Sequence, residues 1–133
     1  MPQRYSPDDP REWLNRAYSN LAIAKSEVEG AYLEDLCFDA QQAAEKAVKA
    51  LLIRTHVEFP YIHDMAQLLT LLEKAGQEIP KGVREAEELT RFAILARYPG
   101  LAPPVKIEEY QQAIELAEKV VRWAEGLISG KIC

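Results

Sequence analysis

The chain has 133 residues, of which 48% are hydrophobic and 28% are charged. This length and composition predict one domain over residues 1–133, with a core that needs neither disulfides nor a metal ion to form. The formal net charge of −5 argues against a protein that grips nucleic acid over a broad surface. Any contact with nucleic acid is therefore expected to be local.

Cysteine usage and the first residues bear on the compartment. Cys37 and Cys133 have no neighbouring cysteine or histidine at the spacing of a zinc or redox motif. The N-terminal stretch is polar and proline-rich, so no signal peptide is expected. No apolar run approaches the roughly 20 residues that a membrane helix needs. These features predict a cytoplasmic protein that has no membrane segment and uses no metal or cofactor.

The first two segments of the chain have helical periodicity. Prolines break helix interiors, and between them apolar residues recur at steps of three and four. The first helix is predicted from about Pro10 to Glu29 and the second from about Leu33 to Arg54. The predicted core positions of the first are Trp13, Ala17, Leu21, Ala24 and Val28.

The second predicted helix has a broad apolar face that is rich in alanine, which favours a central position with neighbours on more than one side. Glu45 and Lys49 are spaced to form a pair along its flank. Asp39, Gln42, Lys46 and Lys49 are predicted to form its polar stripe.

The rest of the chain predicts three more helices. A shorter one runs from about Asp64 to Ala75, a fourth opens at Pro80, and a last one runs from about Ile107 to Ile128. The fourth has Val83, Ala86, Leu89, Ala93 and Ala96 on its predicted core face. No alternating run is long enough for a sheet. The predicted fold is all-α, an antiparallel up-and-down bundle of four long helices and one shorter helix.

Few side chains are candidates for chemistry. His56 and His63 are the only histidines, and His63 lies where it could either cap the third helix or serve a site. The most specific local feature is the Ala96–Pro99 stretch, in which Arg97 offers a fork of donors and Tyr98 a stacking ring. The alternative is a helix end in which Arg97 binds the last carbonyls and Tyr98 covers the core.

Other charged residues predict solvated faces. Adjacent acidic pairs, such as Glu34 with Asp35, diverge by about 100° around a helix and so do not converge on a metal. Arg84 and Arg91 lie two turns apart and form a modest basic ridge, which Arg97 extends. Such a ridge is more typical of a solvated face than of a nucleic-acid track.

Three features together resemble the HEPN domain family (higher eukaryotes and prokaryotes nucleotide-binding). They are the run from Phe38 to Leu52, His63 ahead of a leucine-rich helix, and the Ala96–Pro99 motif. The resemblance implies a bundle of four or five helices in a small prokaryotic protein. It also implies a homodimer, and a partnership with a minimal nucleotidyltransferase in a toxin-antitoxin module.

Catalytic members of that family are metal-independent RNases with an Arg-x4–6-His motif, and this chain departs from it. His56 follows Arg54 by only two positions, and no histidine follows Arg97. The leading hypothesis is therefore a non-catalytic binding protein that contacts its partner, nucleotide or RNA through Arg97, Tyr98 and His63. The alternative is an RNase toxin with a non-standard site built from Arg97 and His63, and a third possibility is a plain oligomeric scaffold.

Overall fold

The computed structural model describes residues 2–59, 64–95, 98, 100 and 102–130, and their regular structure is entirely helical. The elements are α1 (Pro10–Lys25), α2 (Leu33–Arg54), α3 (Met65–Lys74), α4 (Lys81–Arg84), a 3-10 helix (Glu85–Leu89), α5 (Thr90–Leu95) and α6 (Ile107–Ser129). None of the described residues is in a strand. The all-α prediction is confirmed. None of these helices combines the length and apolar character that crossing a membrane would require.

Contacts between helix ends fix the direction of each long segment. The Trp13 ring near the start of α1 meets Phe59, which lies beyond the end of α2, so these helices are antiparallel. Glu34 accepts a hydrogen bond from the Val105 backbone N–H, so α2 and α6 begin at the same end of the bundle. Arg91 pairs with Glu109 while Gly82 faces Lys119, so the 81–95 segment runs against α6. The four long segments therefore alternate in direction, and α3 is the shorter addition.

Helix α2 occupies the centre, as its alanine-rich face predicted. It packs against α1 and α6 along most of its length and also contacts α3 and α5. Ala40, Ala43, Ala44 and Ala47 are completely buried. Small side chains at these positions allow the neighbouring helix axes to come close.

Helix α1 ends four residues earlier than predicted. Its start has the expected signals, since Pro10 lies in the first turn and the Asp9 carboxylate accepts a hydrogen bond from the Arg11 backbone N–H. At the other end the Ser26 hydroxyl donates to the Ile23 carbonyl at 2.6 Å, and Glu27 has a φ of 48°. That left-handed residue stops the helix well before Gly30.

The shorter α1 changes two of the predicted core positions. Val28 falls beyond the helix and is 56% exposed. Trp13 is only partly buried, because its indole N–H reaches out to the Pro7 carbonyl at 2.6 Å, and Leu14 takes the core position instead. Ala17, Leu21 and Ala24 are buried as predicted.

The predicted fourth helix is a broken one. Its first turn is α4, its middle is the 3-10 helix, and its last turns are α5. Val83, Ala86 and Leu89 recur every three residues, and a 3-10 helix places residues at that spacing on one side. These three residues and Ala93 are buried as predicted, while Ala96 lies outside the described residues.

The ends of the connection between α2 and α3 are well defined. His56 has a φ of 59°, and the Val57 backbone N–H donates to the Leu52 carbonyl, which is the Schellman arrangement for ending a helix. At the start of α3 the Asp64 carboxylate accepts a hydrogen bond from the Ala66 backbone N–H at 2.9 Å. His56 therefore terminates α2, and Asp64 supplies the side-chain cap of α3.

Candidate binding surface

Tyr98 is the predicted site residue whose position is described. It is 59% exposed just beyond the end of α5, and its backbone N–H donates to the Leu95 carbonyl at 3.4 Å. This exposure favours an available ring at Tyr98 over the alternative in which Tyr98 covers a core edge. Arg97 and His63 lie outside the described residues.

The part of the bundle around Tyr98 is assembled from four helix ends. The buried Tyr110 hydroxyl, near the start of α6, donates to the Ala24 carbonyl near the end of α1 at 2.6 Å. Arg91 in α5 pairs with Glu109 at 3.2 Å, and Glu34 in α2 accepts from the Val105 backbone N–H at 2.7 Å. The ends of α1 and α5 and the starts of α2 and α6 consequently lie together.

The large hydrophobic side chains that remain exposed in the described part of the chain all belong to this end. They are Ile23, Val28, Tyr32, Ile94, Tyr98 and Ile107, with exposures from 46% for Ile107 to 74% for Tyr32. We call these six residues the end surface. Single exposed apolar residues are common on proteins, but their concentration at one end of a bundle indicates a contact surface.

Acidic side chains surround the end surface. Glu27 and Glu29 lie in the α1–α2 turn, Asp35 in the first turn of α2 and Glu108 in the first turn of α6, and all four are exposed. Within the described residues none of the four is in an ion pair. Arg91 is already paired with Glu109, and Lys106 beside Ile107 is an exposed cation, so the acidic side chains outnumber the unpaired basic ones among the described residues at this end. The end surface therefore has a negative electrostatic environment.

Two titratable groups beneath this surface have altered pKa values. The Lys106 backbone N–H and the Arg91 guanidinium lower the pKa of Glu109. Burial raises the pKa of the Cys37 thiol to about 12. Cys37 is fully inaccessible, so it is a core residue rather than a reactive thiol.

Helix α2 contains a buried polar ladder. Gln41 Nε2 lies 3.2 Å from Glu45 Oε1, and Lys49 Nζ lies 3.3 Å from Glu45 Oε2. Gln41 is completely buried, and Glu45 and Lys49 are 2% and 6% exposed. The sequence predicted the Glu45–Lys49 pair but placed Lys49 on the polar stripe, which is wrong. Gln41 was missed, although Gln41, Glu45 and Lys49 at four-residue intervals share one face.

A second polar network joins α1 to α2 nearer the surface. Asn20 donates to Asp39 at 2.9 Å through its amide nitrogen and accepts from the Lys46 ammonium at 2.7 Å through its oxygen. Burial, followed by the nearby Arg16 charge, lowers the pKa of Lys46. This network fixes the register of the two helices, and its balanced charges do not form a nucleic-acid track.

The remaining charged candidates have structural partners. Arg84 pairs with Glu73 at 3.3 Å and with Glu87 at 3.1 Å. Together with the Arg91–Glu109 pair, these contacts neutralise the two arginines of the predicted basic ridge that the structure describes. No group of three potential ligands that could hold a metal ion occurs in the part of the chain described.

Comparison with known proteins identifies the family. The family model for the HEPN domain matches residues 10–127, which is most of the chain. The chain belongs to the HEPN domain family. This confirms the resemblance carried by the α2 motif. None of the curated proteins compared with this HEPN chain matches it significantly.

Two solved structures resemble the bundle. TT1696 from Thermus thermophilus is 32% identical, with a TM-score of 0.76, and the match covers 87% of this chain and 95% of TT1696. ST0689, described as an archaeal HEPN homologue, is 25% identical with a TM-score of 0.68, covering 90% of this chain and 98% of ST0689. The similarity therefore extends over nearly the whole length of both relatives.

Proposed function

We propose that this HEPN protein is a non-catalytic binding partner of a minimal nucleotidyltransferase in a toxin-antitoxin module, acting in the cytoplasm as a homodimer. The observation that carries the proposal is the missing Arg-x4–6-His motif in a chain that matches the family over residues 10–127. No arginine in the sequence has a histidine at that spacing after it, so the residue pair that the catalytic members use is missing. A binding role does not need such a pair.

The exposed side chains near Tyr98 support contact rather than proton transfer. Tyr98 and Ile94 are 59% and 51% exposed, and apolar and aromatic groups of this kind provide contact area in protein interfaces. Their acidic surroundings favour a protein partner over RNA. The proposal includes a contact with nucleotide or RNA through Arg97, Tyr98 and His63. The experiment that tests the partner also tests this contact.

Co-expression tests the proposed partner. We expect the protein to co-purify with the minimal nucleotidyltransferase of its own source, and light scattering on the eluted peak to give the stoichiometry. Calorimetry with ATP and with RNA, on wild type and Tyr98→Ala, measures any nucleotide contact. Failure to co-purify, together with no heat from ATP or RNA, would remove the basis of the proposal.

An RNase assay separates the binding role from the enzymatic alternative. Purified protein incubated with total RNA is expected to leave it intact. Cleavage that disappears in both Arg97→Ala and His63→Ala would instead establish an RNase toxin with a non-standard site. Cleavage that survives both substitutions and separates from the protein on further purification would come from a contaminant, and the binding proposal would stand. Cleavage that survives both substitutions and stays with the protein would come from another site and would contradict the non-catalytic role.

A further inference from the structure

The strongest feature outside the buried core is the concentration of exposed apolar side chains at one end. Two of the six, Tyr32 and Tyr98, are tyrosines, and they come from segments more than sixty positions apart in the chain. The contacts of Tyr110 with Ala24 and of Arg91 with Glu109 hold these segments at the same end. The surface is thus produced by the fold and not by one apolar stretch of sequence.

The charges around the end surface restrict its occupant. Glu27, Glu29, Asp35 and Glu108 are exposed and, in the described part of the chain, unpaired. Two copies docked end to end would place these carboxylates against each other, and like charges across an interface oppose association. A phosphate backbone would meet the same repulsion. A surface with lysine and arginine around apolar side chains has the complementary pattern.

We propose that the end surface docks a protein partner whose own face presents apolar side chains framed by basic residues. The inference rests on the proposed function, because it locates on this chain the surface that the partner covers. Exposed tyrosines at the centre of an interface contribute a large share of binding energy, while the surrounding carboxylates raise the association rate and exclude acidic surfaces.

A pair of peptides tests the chemistry of the surface. Each is an amphipathic helix with the same leucine face, flanked by lysine in one peptide and by glutamate in the other. Calorimetry at low salt is expected to show at least about tenfold tighter binding of the lysine peptide, and amide shifts in an NMR titration should concentrate at the end surface. Equal binding of the two peptides, or shifts spread elsewhere, would overturn the proposal.

Matched variants separate the surface from general effects. Tyr32→Ser/Tyr98→Ser is expected to weaken lysine-peptide binding about tenfold or more, whereas Tyr5→Ser, at the far end of α1, leaves it unchanged. Glu27→Lys/Glu29→Lys should also weaken binding. The control Glu78→Lys/Glu85→Lys makes the same change in net charge at exposed positions away from this end. Equal effects of the test and control variants would contradict the assignment.

Other occupants give distinct results. If Tyr32→Ser/Tyr98→Ser converts a dimer into a monomer in sedimentation equilibrium, the surface belongs to a second copy and the inference fails. It also fails if oligouridylate shifts the amides of the end surface.

The experiments distinguish failure of the docking surface from failure of the proposed function. If the tyrosine variants still bind the nucleotidyltransferase as wild type does, the proposed function stands, but the end surface is not where that partner docks. If the lysine peptide binds at the end surface but the nucleotidyltransferase does not bind the protein, the docking surface stands and the proposed function fails.

Discussion

At the scale of single residues, burial decides what a charged pair contributes. Lys49 and Glu45 lie 3.3 Å apart, with side chains 7% and 3% exposed. Arg122 and Glu118 have the same four-residue spacing and lie 3.6 Å apart, but Arg122 is 75% exposed. The sequence pattern of the two pairs is alike, so only the packing distinguishes a pair inside the bundle from a pair in water.

The two pairs should respond differently to truncation. Lys49→Ala removes a cation beside a buried carboxylate, and we expect it to lower the free energy of unfolding by about 3–5 kcal/mol. Arg122→Ala should cost less than about 0.5 kcal/mol, because exposed pairs are weak. Urea unfolding of both variants gives the comparison. Similar costs for the two substitutions would show that the Glu45–Lys49 pair is not shielded from water.

The Cys37 thiol predicts a dependence of stability on alkaline pH. Its pKa is raised by burial from an ordinary 9.0 to about 12, so the folded state keeps a proton that the unfolded state loses. The stabilisation is complete below pH 9 and is lost as the pH rises towards 12, at up to about 1.4 kcal/mol per pH unit.

Comparison with a variant isolates that effect. Between pH 9 and pH 11, the free energy of unfolding of wild type should fall more steeply than that of Cys37→Ala, which has no thiol to titrate at this position. Urea titrations at several pH values measure both slopes. Parallel curves would mean that Cys37 reaches water in the folded protein.

At the scale of elements, regular patterns were predictable and their local endings were not. The bounds predicted for α2, Leu33–Arg54, are the observed ones, because its apolar face continues without interruption between clear breaks. The end of α1 depends on the left-handed Glu27, a conformation that its side chain does not signal. The 81–95 segment has a core spacing that suits both an α-helix and a 3-10 helix over a few residues.

The alanines of α2 give a test at this scale. Ala47 is completely buried, whereas Ala22 in α1 is exposed, and both lie in helix interiors. Ala47→Leu has no room beside α2 and should destabilise the fold by about 1–3 kcal/mol. Ala22→Leu should change stability by less than about 0.5 kcal/mol. If Ala47→Leu proved as mild as Ala22→Leu, the close packing of α2 would be disproved.

At the scale of the whole molecule, the candidate site was only partly predictable. Tyr98 stood out because an arginine, a tyrosine and a proline adjoin at a helix end. The other members of the end surface, such as Tyr32 and Ile107, come together only through the packing of α1, α2, α5 and α6. The spacing of residues in the sequence does not show which helices pack against each other. Gln41 was missed for a related reason, since a polar residue within an apolar face resembles an interruption until its partner is known.

Charge distribution over the molecule predicts how it meets RNA. The net charge is −5, and several basic residues are held in ion pairs with acidic neighbours, among them Arg16 with Glu12 and Lys25 with Glu118. Acidic residues outnumber basic ones, and this net negative charge opposes the approach of a phosphate backbone. We therefore expect only weak binding to oligouridylate, with an affinity that changes less than about tenfold between 50 and 200 mM salt, as one or two phosphate contacts imply.

Fluorescence anisotropy of a labelled oligouridylate across that salt range measures the slope directly. Arg97→Ala should remove most of what binding there is if the contact is local, whereas Arg122→Ala, an exposed position on α6, should not. A fall in affinity of about a thousandfold over the same range would require roughly seven or more phosphate contacts. So many contacts would contradict the expectation of a local contact, and that result would show that the basic residues of the protein form a continuous track for RNA.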